Sequence, residues 1–344
     1  MKPALILTSL LIVLTSLSCK HSTEPEKKYK DPRNMTWTAD TLPVPLGAIQ
    51  VLPEDMLVVS PTNIWLATWM GHAQIFHYNG KSWDLSLDLA GGINCLTKDL
   101  SNNIWGGGYS NKIFIGYFDG FNWTRVNLNL NGEILDMSND TKGNIWACGS
   151  NGIVLKYSNY NWVVDTVKIN FNYSVEFFLK SITYHNNNIF IIASSLNKNT
   201  LKQKYFFLKG DIKNWNIIDS MSLDSPSSEI KFGNFGLFNF QDNFLFSYGL
   251  EGIWAFKNNN WEKIFNLNGE VYGMYYLDNN YILAGSAFKK IFFFNGNSWE
   301  NISDHFNVND PYFVFKNIWT NGEEIFIAGY TFSGIQKTII FHGK

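Results

Sequence analysis

Residues 143–162 read GNIWACGSNGIVLKYSNYNW. Nearly the same phrase stands at 102–123, NNIWGGGYSNKIFIGYFDGFNW, and at 62–83, TNIWLATWMGHAQIFHYNGKSW. Each copy leaves an Asn/Gly turn, passes an Ile-Trp pair and a few small residues, and turns again. An apolar stretch then leads to a polar turn and a second tryptophan. Turn residues of this kind punctuate short strands, and no helical period runs through them. The chain repeats one β-meander.

The tryptophans at 83, 123, 162, 215, 261 and 299 each follow such a turn. Their spacing is about 40 residues, lengthened where loops intervene, which is the period of a four-stranded propeller blade. The second strand of the unit is found in seven copies, at Ile64-Trp65, Ile104-Trp105, Ile145-Trp146, Ile189-Phe190, Phe244-Leu245, Tyr281-Ile282 and Ile325-Phe326. Only six tryptophan strands follow them, and the last copy ends at IIFHGK. The missing outer strand is supplied by MTWTADTLPV at 35–44, with Trp37. The expectation is an all-β, seven-bladed β-propeller of four-stranded antiparallel blades, with six or eight blades as alternatives. It forms one domain over 36–344, closed by its N-terminal strand, and closure removes the edges of an open array.

The N-terminus reads as a targeting segment rather than part of the fold. Lys2 precedes an apolar run from Ala4 to Leu17 that ends at Ser18-Cys19. The run falls short of the roughly 20 apolar residues of a membrane span. SLSC at 16–19 resembles a bacterial lipoprotein signal, with Ser16 where leucine is usual. That resemblance implies a signal peptide over 1–18 and acylation of Cys19, the chain's only contact with the membrane; ordinary secretory cleavage nearby is the alternative. Residues 19–35 are charged, carry two prolines and have almost no apolar content, as a disordered tether would.

Aromatic residues make up 17% of the chain against 16% charged, and the net charge is −2. The absence of a basic excess argues against nucleic acid as a partner. Cys95 and Cys148 lie on strand-like stretches of different repeats, as buried free thiols or as a pair in an oxidising compartment.

The stretch DTKGNIWACGSNGIVLKYS at 140–158 resembles the repeat of the regulator-propeller family, found in periplasmic sensor domains and in stand-alone bacterial proteins. The pattern is carried by Asp140, Gly143 to Trp146, Gly149-Ser150, Gly152-Ile153 and Lys156-Tyr157. Repeats at 99–117 and 60–78 match in part. The resemblance implies a propeller; with no kinase segment following, a regulatory role does not carry over.

Two places offer function. The loops of one propeller face are monotonous, but the opposite face diverges, through TWMGHAQ (68–74), GYSNKI (108–113), SSLNKNTLKQK (194–204), GSAFKKI (285–291) and GYTFSGIQ (329–336). Trp69, His72, Tyr109, Lys112, Tyr173, Phe288, Lys289, Lys290, Tyr312 and Tyr330 are the candidate binding residues there, with Lys198 and Lys202 adding charge. An exposed aromatic and basic surface suits an envelope protein or a glycan; the alternative is that these rings fold beneath their loops. The second place is the central channel. The residue nine positions before each second-strand isoleucine, or its equivalent, is Asp55, Cys95, Asp136, Lys180, Phe235, Gly273 or Lys316. Alternation along a strand turns Asp55, Asp136, Lys180 and Lys316 toward the channel, as a clamp for a small polar ligand or as a hydrated ring of compensating charges.

Signals for catalysis are poor. The six histidines show no HxxxH or HxH pair for a metal, and no cofactor motif is present. Asp55 and Asp136 have the chemistry of a glycosidase pair, but the arginines of a sialidase are missing, since the chain has only Arg33 and Arg125. The reading is a monomeric, lipid-anchored binding or scaffolding module of the cell envelope, with a channel-based small-ligand sensor as runner-up.

Overall fold

A computed structural model of the chain describes residues 29–171, 174–224, 228–240 and 244–344. Among these residues there are 26 strands in six sheets, with two short 3-10 turns at Pro32–Asn34 and Ser303–His305. The six tryptophans named from sequence stand at or next to the start of outer-strand segments, as at Trp83–Leu89, Trp123–Val126 and Trp215–Ser222. Trp37–Thr41 pairs antiparallel with Thr338–Gly343, from Trp37↔Gly343 to Thr41↔Ile339, so the first strand is outermost in the last sheet.

The expectation of seven separate blades is corrected to six. Five sheets have four strands and the remaining one has six, over residues 236–301. It holds the copies at Phe244-Leu245 and Tyr281-Ile282 together, because the Trp261 strand does not end before the next copy begins. Asn260–Asp278 is one continuous strand, and Glu270 within it pairs with Leu250 of Phe244–Lys257. Leu267-Asn268-Gly269, whose Asn-Gly pair has the composition of a turn, lies inside this strand.

Innermost strands pack side by side around the axis. Leu52–Ser60 lies on Gly92–Lys98, then follow Ile134–Asn139, Val175–His185, Gly236–Phe240, the end of Asn260–Asp278 and Val314–Thr320, which returns to Leu52–Ser60. Between sheets the repeated tryptophans form the core. Trp105 packs on Tyr157 of the next sheet at 4.9 Å and on Trp162 at 5.8 Å; Trp65 packs on Phe118 at 5.1 Å and Trp123 at 6.1 Å. Each such pair contributes about 1 kcal/mol beyond the area it buries.

The remaining letters of the motif serve the turns. Asp140 accepts from the backbone N–H of Lys142 and Asn144, both at 2.9 Å, and from Trp146 Nε1 at 3.3 Å. Asp99 repeats this with Ser101, Asn103 and Trp105. The small pair after Ile-Trp answers a close approach: a Cβ on Gly108 would lie 1.9 Å from the Gly92 carbonyl oxygen, and one on Gly149 1.9 Å from that of Glu133.

Candidate functional site

Six of the inner strands carry the same irregularity near the loop-rich face. Pairing with the second strand skips a residue between Pro53 and Asp55, Ile93 and Cys95, Ile134 and Asp136, Leu179 and Ser181, Val271 and Gly273, and Phe315 and Asn317. A β-bulge turns its extra residue off the ladder. The skipped residues Glu54, Asn94, Leu135, Lys180, Tyr272 and Lys316 all line one axial cavity of about 650 Å³, together with Phe235, which immediately precedes the remaining inner strand Gly236–Phe240.

The residue after each bulge does different work. Asp55 accepts from its neighbour Met56 N at 2.8 Å and from Leu96 N of the next sheet at 2.7 Å. Asp136 accepts from Met137 N at 2.8 Å, and from Ser181 Oγ at 2.7 Å and Ile182 N at 2.8 Å across the sheet boundary. Ser181 Oγ in turn accepts from Leu237 N at 3.0 Å. Asn94, a bulge residue, donates to the Ile134 carbonyl at 2.7 Å. These polar side chains tie neighbouring inner strands to one another. Burial raises the Asp55 pKa and pushes that of Asp136 up to about 7, against the pull of their N–H partners.

All four channel residues read from sequence line the cavity, but they belong to two different columns. Lys180 and Lys316 are bulge residues, whereas Asp55 and Asp136 follow the bulge. Cys95, aligned with them, is buried and donates to the Gly107 carbonyl, while its neighbour Asn94 lines the channel. Lys316 is paired with Glu54 at 2.7 Å. Lys180 has no ion pair or hydrogen bond among the described residues; its ammonium stands 6.0 Å from the Tyr205 ring centre, and burial lowers its pKa. Tyr248 and Tyr272 also reach the cavity, and Phe235 and Tyr272 touch at 5.4 Å between ring centres.

On the loop face the candidates separate. Phe288 and Tyr312 are each at least half exposed and meet edge to face at 6.0 Å, with Lys289 and Lys290 beside them. Tyr330 is half-buried, where burial and the nearby Glu54 and Glu270 raise its pKa. His72 is held by Asp88 at 2.7 Å, Lys112 by Asn129, Lys198 by Glu176 at 3.6 Å and Lys202 by Asp224 at 3.9 Å. Trp69 is half-buried at a strand end and Tyr109 is exposed. Tyr173 and Cys19 lie outside the described residues.

Four residues that sequence did not single out extend the Phe288–Tyr312 pair. Leu46, Ile49, Phe332 and Ile335 are each at least half exposed. Asp310 accepts from Phe332 N at 2.6 Å and Ser333 N at 2.8 Å, which fixes the 331–337 loop against Tyr312. Gln336 N donates to the Ile49 carbonyl at 3.0 Å, which brings in the 42–51 link. Clefts of about 710 Å³ and 500 Å³ lie between these segments, the first beside Pro311 and Ile335 and the second between Leu46 and Ile335. Their joint signal in sequence was apolar residues in loops otherwise built of Gly, Pro, Ser and Gln.

No family model matches the chain, and no curated protein sequence matches it. Solved structures do. YCF48 bound to D1 peptide aligns with a TM-score of 0.60 at 14% identity, over 90% of this chain and 94% of that one. YCF48 from Cyanidioschyzon merolae aligns at 0.57 and 14%, over 89% and 98%. The WD40 β-propeller domain of Doa1 aligns at 0.56 and 13%, over 88% and 95%. The chain is a β-propeller. At these identities the likeness extends to the fold alone, and the regulator-propeller resemblance rests on the quoted repeats.

Proposed function

We propose that this propeller is a protein-binding module of the cell envelope, held to a membrane through acylated Cys19, and that its partner presents an apolar segment carrying acidic residues. The observation behind this reading is the joined patch of Leu46, Ile49, Phe288, Tyr312, Phe332 and Ile335, since soluble surfaces seldom gather exposed apolar side chains without a use. Its loops contain Lys289, Lys290 and Lys337. Their one acid, Asp310, has its oxygens occupied by Tyr312, Phe332 and Ser333. An acidic partner complements that balance, and the clefts suit side chains of a polypeptide better than a flat surface. A propeller of similar fold described as bound to a peptide supports a protein partner over a glycan. The tether side is consistent: Lys30 N donates to the Gly322 carbonyl, so the chain joins the domain at the short-turn face. An anchor there leaves the loop face pointing away from the membrane.

Photo-crosslinking from native envelope tests this, with a benzophenone amino acid at position 288 or 312 and, as control, at Phe121, which is exposed on the short-turn face. The expected result is one crosslinked protein from the loop-face positions, lost in Phe332→Ser/Ile335→Ser and weakened by salt. An identical pattern from Phe121, or none from 288 and 312, would overturn the reading.

A further inference from the structure

We propose that the axial cavity binds a small organic carboxylate with an apolar or aromatic body, and that Lys180 is its counter-ion. This site is separate from the loop-face patch and does not depend on it.

Lys316 is neutralised by Glu54 at 2.7 Å. Both oxygens of Asp55 and both of Asp136 accept hydrogen bonds from the protein, which commits them to joining neighbouring strands. Lys180 alone has neither an ion pair nor a hydrogen bond among the described residues. It projects from its bulge between Leu135 and Phe235 in the order of inner strands, where its ammonium has the face of the Tyr205 ring at 6.0 Å but no anion to exchange for its hydration. A partly desolvated charge kept without a partner costs stability. That cost is offset if an anion arrives from solution. A sequence under no such demand would place Met or Gln here.

A second donor stands in the same cavity. Tyr248 lines it, and no hydrogen bond from its hydroxyl to the protein is formed among the described residues. The chain leaves room for that phenol: a Cβ on Gly236 would come within 2.4 Å of Tyr248 Oη. Gly236 precedes Leu237, whose N–H is bonded to Ser181, the residue after Lys180, so the segments that carry Gly236 and Lys180 are neighbours in the cavity wall. One ammonium and one hydroxyl suit the two oxygens of a carboxylate. They are too few donors for a phosphate dianion, which favours guanidinium forks or clustered N–H groups.

The rest of the ligand follows from the wall beside Lys180. Phe235 and Tyr272 are in ring contact at 5.4 Å, and Leu135 and Leu237 complete an apolar surface next to the donors. At about 650 Å³ the cavity lies within the range of small-molecule sites. Acetate would leave most of that wall unused.

Isothermal titration of the purified protein tests the proposal with four probes, benzoate, cinnamate, 4-hydroxyphenylacetate and hexanoate, and with benzyl alcohol and inorganic phosphate as controls. We expect at least one carboxylate probe to bind with one-to-one stoichiometry and a Kd of about 1 mM or tighter. Benzyl alcohol and phosphate should bind at least about tenfold more weakly, the loss of one charge-assisted contact. Lys180→Met should weaken the binding by about tenfold or more and Tyr248→Phe by a smaller factor, while Lys180→Arg keeps it. A Lys180→Met protein that melts no lower than wild type shows that the fold is intact. The proposal is overturned if none of the four carboxylates saturates at millimolar concentration. It is equally overturned if Lys180→Met binds them as well as wild type.

Discussion

Asp136→Ala should unfasten two neighbouring sheets from inside the channel. In the native protein this carboxylate accepts from Met137 N, Ser181 Oγ and Ile182 N at 2.7 to 2.8 Å, the last two belonging to the next sheet. Alanine leaves three donors without an acceptor. A buried donor left unsatisfied costs about 1–3 kcal/mol, and channel water can reach some of the three, so a total near 3 kcal/mol is the working figure. Unfolding entropy is about 2.1 cal/mol/K per residue, roughly 0.65 kcal/mol/K for a domain of about 310 residues, which converts the loss to a Tm drop of about 5 °C. The assay is calorimetric melting of wild type, Asp136→Ala, Ser181→Ala and the double variant. Because Ser181 hands the connection on to Leu237 N, the two residues should couple, and the double variant should lose less than the sum by about 1 kcal/mol. A Tm within a degree of wild type for Asp136→Ala, or strict additivity, would refute the clamp.

Four further expectations follow from the structure. Burial pushes the Asp136 carboxyl from 3.8 up to about 7, so the native state keeps a proton that the unfolded chain releases in that window. The stability this proton confers is complete below about pH 4 and lost as pH rises through about 7; Asp136→Asn, which cannot titrate, should flatten that decline in a Tm-against-pH series from 4 to 8. Trp162 and Trp123 occupy like positions, but the Trp162 indole N–H is buried without a partner among the described residues, whereas that of Trp123 donates to Ser86 Oγ at 3.0 Å. Trp123→Phe should therefore cost about 1 kcal/mol more than Trp162→Phe in urea unfolding. Cys95 and Cys148 are buried free thiols whose pKa burial holds well above the usual range, so a Cys19→Ser protein should react with a thiol reagent only after denaturation. Gly149→Ala should abolish soluble expression, because its Cβ meets the Glu133 carbonyl, while Gly120→Ala, with open space around it and φ of +101°, should cost about 1 kcal/mol.

Sequence made the repeat legible because the parts that recur are those with strict local chemistry. Asp140, Asn144 and Trp146 form one hydrogen-bonded cassette, so their spacing cannot drift, and the tryptophan strands begin where a turn residue forces them to. What escaped was continuity. Nothing in LNGEVYG (267–273) announces that strand and link are one extended run, since Asn-Gly reads as a turn whether or not the chain takes it; only the Leu250↔Glu270 pairing decides. The channel column escaped for a similar reason. A bulge inserts one residue without a compositional mark, so counting back nine positions landed on Lys180 in one strand and on the following residue, Asp136, in another. The patch of Leu46, Ile49, Phe332 and Ile335 lies on loops distant in sequence, and only tertiary hydrogen bonds such as Gln336 N to the Ile49 carbonyl bring them together.

The place of Trp37–Thr41 bears on how the protein comes into being. That strand is the first of the described strands to leave a ribosome, yet its one ladder partner among the described residues, Thr338–Gly343, follows roughly 300 residues later. For the whole of translation its backbone groups have no native neighbour. Every intermediate length of the nascent chain is therefore an unclosed arc with a sticky end. A truncation that removes Thr338–Gly343 should be as damaging to the Trp37–Thr41 strand as to its own sheet.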